Sequence, residues 1–131
     1  MDILEILKTD YQNFPHDQTY RIYAPDVYFK DPMTEFRGRE RYEAMIQFIE
    51  RWFQAVRLDL HQIQRQDDQI RSDWTLHWVT PLPWKPAIAI SGWSELTLAN
   101  DQIISHIDYW HCSRWDVLKQ HFGQTIGQTT G

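Results

Sequence analysis

Two carboxylates and an imidazole fall near the end of the sequence, in Glu95, His106 and Asp108. A further carboxylate, Asp31, stands immediately before Pro32. Such groups move protons best when burial and neighbouring charge bring their pKa values toward neutrality. Burial raises a carboxyl pKa and lowers that of His, and a carboxylate beside the His opposes the second shift. Gathered in a shielded hollow, Asp31, Glu95, His106 and Asp108 would suit general acid–base catalysis. Spread over a wet surface, they would be ordinary solvated side chains.

Which of these holds depends on a hairpin. Asn100-Asp101 reads as a two-residue turn, and such a turn fixes the register of the strands on either side. Glu95 then faces His106, Trp93 faces Asp108 and Ser91 faces Trp110. Side chains two apart share a face, so one face carries Trp93, Glu95, His106, Asp108 and Trp110. The other carries Leu96, Leu98, Ile103, Ile107 and Tyr109, with Ser94, Ser105 and His111. Both faces are mixed, so alternation leaves the choice open. The more aliphatic second face favours placing the acid–imidazole face outside, where Trp93 and Trp110 would contact a partner. Placed inside, the same polar groups would either transfer protons or simply hydrogen-bond one another around a cavity.

A metal reading is disfavoured by spacing unless a bulge turns His111 over. His106 and Asp108 share a face, but His111 falls on the opposite one, and a metal site needs three groups converging on a point. The single Cys112 excludes an intramolecular disulfide and a thiolate-rich zinc site, and reads as a buried structural thiol. No glycine-rich phosphate cradle is present. The expectation is no metal and no cofactor.

The elements that must position these groups follow from periodicity. Ile3, Leu4, Leu7 and Tyr11 recur at helical spacing over residues 2–13, and Pro15 ends that helix. A second short helix is predicted from Asp17 to Tyr23. Val27 to Asp31 reads as a short strand with Val27, Phe29 and Asp31 on one face. A long helix follows Gly38, with Tyr42, Met45, Ile46, Ile49, Trp52 and Phe53 as its apolar stripe. The period then becomes two. Val56, Leu58 and Leu60 alternate with polar residues, Asp67-Asp68 turns the chain, and Trp74, Leu76 and Trp78 alternate on the way back. Pro81-Leu82-Pro83-Trp84-Lys85-Pro86 breaks the ladder, because proline has no amide hydrogen to donate. Strands 87–98 and 102–111 follow. Ser113 with Asp116 resembles a capping box opening a last short helix, and Gly123 sits where it would end. Helices first and four antiparallel strands later argue for an α+β fold, with helices laid on one face of a curved sheet.

Composition bounds the function classes. The chain has 131 residues, 42% of them hydrophobic and 24% charged, which suits one folded domain rather than disorder. Aromatics reach 15%, with seven Trp, enough to wall a cavity with rings. The net charge of -5 argues against a nucleic-acid partner. No apolar run is long enough for a membrane span, and the opening residues carry no basic region followed by an apolar stretch. A cytoplasmic protein without a membrane partner is expected. Residues 1–122 are assigned to one domain and 123–131, rich in Gly, Thr and Gln, to a flexible tail.

The run Tyr23-Ala24-Pro25-Asp26-Val27-Tyr28-Phe29-Lys30-Asp31-Pro32, followed by Phe36-Arg37-Gly38 and a helix, resembles the nuclear transport factor 2-like superfamily. This group includes ketosteroid isomerases, polyketide cyclases and scytalone dehydratases. The chain is more closely similar to an uncharacterised cyanobacterial and plastid family of that fold, through Pro81 to Pro86, Gly92-Trp93-Ser94-Glu95-Leu96 and Ser105 to Ser113. The resemblance implies a cone-shaped domain with N-terminal helices packed on a curved, mainly antiparallel sheet. It implies that Asp31 is the general base, as the matching aspartate is in ketosteroid isomerases, and that Tyr11 is the candidate phenol of the oxyanion hole. Trp93 takes the place of the protonated aspartate there, which counts against steroid isomerisation as such. The resemblance also turns the Trp93, Glu95, His106, Asp108 and Trp110 face inward. The expected function is binding of a largely apolar small molecule, with cofactor-free proton transfer of isomerase, cyclase or dehydratase type. Asp31, Glu95, His106 and Asp108 would do the chemistry; Tyr11, Phe29, Trp78, Trp93 and Trp110 would line the ligand site. The alternative is a non-catalytic module that forms a homodimer through an aromatic-rich sheet face.

Overall fold

The computed structural model describes residues 2–123. Helix α1 spans Ile3–Asn13, and its inward stripe comprises Ile6, Leu7, Asp10 and Tyr11. A single 3-10 turn, Tyr20–Ile22, leads into strand β1, Tyr23–Lys30, which pairs with the short β2, Glu35–Arg37. The predicted helix from Asp17 to Tyr23 therefore shrinks to one turn. Asp17 adopts a φ of 51°, in the left-handed region, so regular right-handed helix cannot start there. The polypeptide enters the sheet four residues earlier than the alternation of Val27 and Phe29 indicates.

Helix α2 occupies Arg39–Trp52 after Gly38, whose φ of 121° favours a residue without a Cβ. Tyr42 and Ile46 are buried, and Met45 and Ile49 pack beside them, as the stripe predicts. Trp52 departs from it. It is 56% exposed at the helix end, with its ring tilted against that of Phe48 at 6.0 Å.

Four long strands follow: β3 (Gln54–Gln66), β4 (Gln69–Val79), β5 (Ala87–Ala99) and β6 (Gln102–Trp110). The sheet order is β2-β1-β6-β5-β4-β3. All pairs are antiparallel except β1 with β6, which run parallel. The α+β reading and the mainly antiparallel sheet are thus as expected. Two-residue turns close β3–β4 at Asp67-Asp68 and β5–β6 at Asn100-Asp101. Asn100 and Asp101 both have positive φ, as a primed hairpin turn requires. Helix α3, Arg114–Gln120, opens with the predicted capping box between Ser113 and Asp116. The tail assigned to 123–131 falls, beyond Gly123, outside the described residues.

One irregularity in β6 determines the site. Ala99 pairs with Gln102 and Leu98 with Ile103, as the turn dictates. Thr97 then pairs with Ser105, so Ile104 is an extra residue on β6. A β-bulge of this kind leaves one residue unpaired and moves everything beyond it by one place. Leu96 faces His106, Ser94 faces Asp108 and Gly92 faces Trp110. The inner face of the hairpin therefore carries Ser94, Leu96, His106, Asp108 and Trp110. Trp93 and Glu95 lie on the opposite face. Their expected place beside His106 and Asp108 is corrected by this single inserted residue.

The core lies between the inner sheet face and the two long helices. Val27, Phe29, Ile70, Ile88, Ile90, Leu96 and Ile103 are each at most 2% exposed. Gly92 permits a close approach of β6 to β5: a Cβ there would stand 2.1 Å from the Tyr109 carbonyl oxygen.

Candidate functional site

Between α1, α2 and the inner sheet face lies a cavity of about 120 Å³. Asp31, Ser94, His106 and Asp108 supply its polar wall, and Tyr11, Tyr23, Phe29, Tyr42, Trp74 and Trp110 supply rings. Aliphatic side chains such as Leu7, Ile46 and Leu58 complete it.

The polar wall is assembled by the sheet. His106 and Asp108 point the same way along β6, and His106 Nε2 lies 2.7 Å from Asp108 Oδ1. The Ser94 hydroxyl, opposite on β5, donates to the same oxygen at 2.5 Å. Ser94 in turn accepts the Trp74 indole N–H at 2.9 Å, from β4. A chain of hydrogen bonds thus crosses three strands, Trp74 to Ser94 to Asp108 with His106, and fixes the carboxylate against rotation. His106 is only 6% exposed, and its Nδ1 is buried without a hydrogen-bond partner among the described residues. Rings of Phe29, Tyr42 and Tyr23 surround it, with centroids 5.1, 5.6 and 6.2 Å away.

Asp31 reaches the same cavity from β1. Phe29 pairs with His106 and Lys30 with Ile107, and the next step of this parallel register puts Asp31 beside Asp108. Its Oδ1 accepts the Met33 amide at 2.8 Å in the turn that ends the strand. The Asp31 carboxyl is held above its ordinary range. Desolvation is the main cause, and the Asp108 charge adds to it; the Met33 amide and His106 pull the other way. This is the condition under which a carboxylate becomes a useful base.

The tyrosines stay neutral. Tyr11 bonds to the fully buried Ser72 at 2.7 Å, and burial pushes its phenol up to about 12. Burial also raises Tyr42 and Tyr23, whose hydroxyls lie 3.1 Å apart. All three can offer neutral hydroxyls and none can serve as a base at neutral pH. Asp10, the remaining carboxylate of the wall, accepts the Thr19 N–H at 3.0 Å and its hydroxyl at 2.8 Å, so it anchors the loop after α1.

Of the residues singled out from the sequence, the cavity brings together Asp31, His106, Asp108, Tyr11, Phe29 and Trp110. It leaves out Glu95, which is exposed on the outer face and accepts the Trp93 indole N–H at 3.1 Å. Trp93 stacks there on Tyr109 at 4.9 Å, under the Arg71 guanidinium. Trp78 also stands apart from the cavity wall; it packs on Phe53 and donates to Thr80. Sequence reasoning missed Ser94, Trp74, Tyr23 and Tyr42. The doubled Ile103-Ile104 in an otherwise alternating strand was the available signal for the bulge and hence for Ser94. Among the described residues no cluster of three or more His, Cys, Asp or Glu side chains could hold a metal ion. No helix among them is long and apolar enough to cross a membrane.

A curved-sheet α+β arrangement with two helices closing a ring-lined cavity has the fold of nuclear transport factor 2-like and ketosteroid isomerase-like proteins, and solved structures agree. A protein with a ketosteroid isomerase-like fold from Catenulispora acidiphila, in complex with trimethylamine, superposes with a TM-score of 0.73 at 17% identity over 90% of each chain. An LEH-like epoxide hydrolase from M. tuberculosis gives 0.70 at 14% identity, covering 92% of this chain and 86% of that one. A protein described as a SnoaL-like polyketide cyclase from Shewanella putrefaciens gives 0.70 at 16% identity, covering 95% and 99%. At these identities the likeness establishes the fold. By sequence, the chain belongs to the family described as Uncharacterized conserved protein (DUF2358), whose model matches residues 1–106. No curated protein sequence matches it.

Proposed function

We propose that this domain binds a small, largely apolar molecule in the cavity and moves a proton on it, with Asp31 as the base. The observation that carries the reading is the meeting of Asp31, Asp108 and His106 in one ring-walled hollow. Asp108, fixed by Ser94 and His106, orients the imidazole and keeps a second negative charge beside Asp31. That charge raises the proton affinity of Asp31. Tyr11 and Tyr42 supply neutral hydroxyls near the wall, suited to hydrogen-bond oxygen on which charge develops. The chemistry needs no cofactor and fits an isomerase, cyclase or dehydratase. The fold's relatives include proteins described as a polyketide cyclase and an epoxide hydrolase, and one that holds trimethylamine.

The test begins with ligand capture. Wild type, Asp31→Asn and Trp110→Ala are each incubated with a metabolite extract and analysed by native mass spectrometry. Wild type retains a molecule, Asp31→Asn retains the same molecule more weakly, and Trp110→Ala loses it. In heavy water, wild type then exchanges a carbon-bound proton of that molecule and Asp31→Asn does not. Retention of no small molecule by any of the three would sink the reading. Equal exchange by both would remove Asp31 as the base.

The outer sheet face supports a second role. Trp93, Tyr109 and His111 form a row of rings, with Trp93 lying 4.9 Å from each of the other two. Such rings beside Arg71 have the composition of an interface core. Self-association of two copies through this face leaves the cavity free, so the two roles are compatible.

A further inference from the structure

Resting on the pocket reading above, we propose that the ligand is a small organic cation, a protonated amine carrying a compact apolar body. The first argument is the charge inventory of the wall. It contains Asp31, Asp108 and Asp10 but no Lys or Arg. Asp10 is occupied by Thr19, so two carboxylates remain to face a guest. An anionic guest would meet two like charges in a partly desolvated space, with His106 the one side chain of the wall able to carry an offsetting charge. A neutral guest would leave the excess of carboxylates in place. A cation compensates them and removes the repulsion between Asp31 and Asp108.

The second argument concerns donors and acceptors. The Trp74 N–H is taken by Ser94, and the Ser94 O–H by Asp108. Among the described residues no protein donor reaches Asp108 Oδ2, since both Ser94 and His106 bind Oδ1. His106, 94% buried by its 6% exposure, presents a ring nitrogen with no partner. In the neutral tautomer that donates Nε2–H to the Asp108 carboxylate, Nδ1 carries a lone pair. Beside the tyrosine hydroxyls, which can donate or accept, the unspent groups at the carboxylate end of the wall are acceptors. They call for a guest that brings N–H donors, which a protonated amine does.

The third argument is the rings. Aromatic faces attract cations through their quadrupoles, and the attraction grows as water is excluded. Phe29, Tyr23 and Tyr42 close around His106 within 6.2 Å, and Trp110 adds a half-buried indole to the wall. Rings and carboxylates together favour a cation with alkyl substituents over a strongly hydrated one such as an alkali metal ion.

A matched pair of probes tests this. Neopentylamine is charged at pH 7, and neopentyl alcohol has nearly the same shape without the charge. Both are titrated into the full chain and followed by amide NMR shifts of the cavity residues. The amine binds at least about tenfold more tightly than the alcohol. Asp108→Asn lowers amine affinity by about tenfold and leaves the alcohol within about twofold. Asp31→Asn, which keeps an oxygen for the Met33 amide, does the same and guards against a folding defect in the first variant. Equal or tighter binding of the alcohol overturns the cation assignment while the pocket reading stands. Failure of both probes to shift any cavity residue overturns the pocket reading, and this inference with it.

Discussion

The Nε2 atom of His106 lies 2.7 Å from Oδ1 of Asp108, two residues further along the same strand and on the same face. The contact joins a 6%-exposed imidazole to a carboxylate that also receives the Ser94 hydroxyl. Replacing Asp108 separates its charge from its geometry. Asp108→Asn keeps an oxygen where Oδ1 sits, so both hydrogen bonds survive and stability changes by about 1 kcal/mol or less. Asp108→Ala strands the Ser94 O–H and the His106 N–H inside the protein, costing about 2–4 kcal/mol. Urea unfolding of the two variants measures the difference. Equal destabilisation would mean that charge rather than hydrogen bonding holds the group in place.

Ser94 ties the site to the core. Its side chain accepts from Trp74 and donates to Asp108, and the residue is 2% exposed. Ser94→Ala leaves the Trp74 indole N–H without a partner beside an apolar wall. The expected loss is about 1–3 kcal/mol, larger than deletion of one exposed hydroxyl would give. Denaturant melts followed by tryptophan fluorescence report both the stability and the changed surroundings of the indole. An unchanged midpoint would mean that water replaces the hydroxyl and that the three-strand chain contributes nothing.

Much of this architecture was readable in the sequence, and the part that was not has a physical reason. Helix α1, helix α2, both hairpin turns and the Ser113–Asp116 cap were legible because each rests on local chemistry: a 3.6-residue stripe, an Asx turn, a reciprocal cap. Asp31, His106, Asp108, Tyr11, Phe29 and Trp110 were singled out, and all six line one cavity. The register between Glu95 and His106 was not legible from the turn. Turn geometry fixes only the first pairs, and the bulge at Ile104 moves the rest by one. Side-chain period is two, so one residue exchanged Glu95 and Trp93 for Ser94 and Leu96. The parallel contact of β1 with β6 was also beyond local reasoning, being a long-range pairing across the full domain.

Gly92, paired with Trp110 further along the same hairpin, carries a constraint of its own. An added methyl group would lie 2.1 Å from the Tyr109 carbonyl oxygen, which is backbone and cannot rotate away. Gly92→Ala must spread β5 from β6 beside Trp110. It is expected to cost about 3 kcal/mol or more. It should also widen or close the cavity mouth on the Trp110 side. Circular dichroism melts and loss of probe binding at Trp110 check both effects. A stability near that of wild type would show that the strand pair can shift there without penalty.

Asp31 gives a pH dependence whose sign follows from its raised pKa. The folded chain holds the Asp31 proton to higher pH than the unfolded chain, whose carboxyl titrates near its ordinary value of 3.8. Between those two values the native state binds more protons, so stability falls as pH rises. Above the window the ionised group remains a constant cost. Below it both states are protonated and the cost vanishes. Asp31→Asn is therefore slightly more stable than wild type at pH 7. The gain is less than about 1 kcal/mol, since water reaches part of the carboxyl. It disappears as pH falls below the ordinary carboxyl value. Melting curves of both proteins from pH 3 to pH 7 test the trend, and a gain that grows toward low pH would contradict it.

Two tryptophans on opposite faces of the same hairpin separate the two roles proposed for the domain. Trp110 lines the cavity, whereas Trp93 stacks on Tyr109 outside it with Arg71 above. Trp110→Ala enlarges the cavity and removes a ring, so captured ligand falls by about tenfold. Oligomeric state is unchanged. Trp93→Ala removes one stacked pair and one cation–π contact, costing about 0.5–1.5 kcal/mol in the folded chain. Ligand capture stays at the wild-type level, and self-association measured by sedimentation weakens. Loss of ligand binding in Trp93→Ala, with the fold intact, would mean that the outer face communicates with the cavity through Ser94, its neighbour in β5. That outcome would replace two independent faces with one coupled unit.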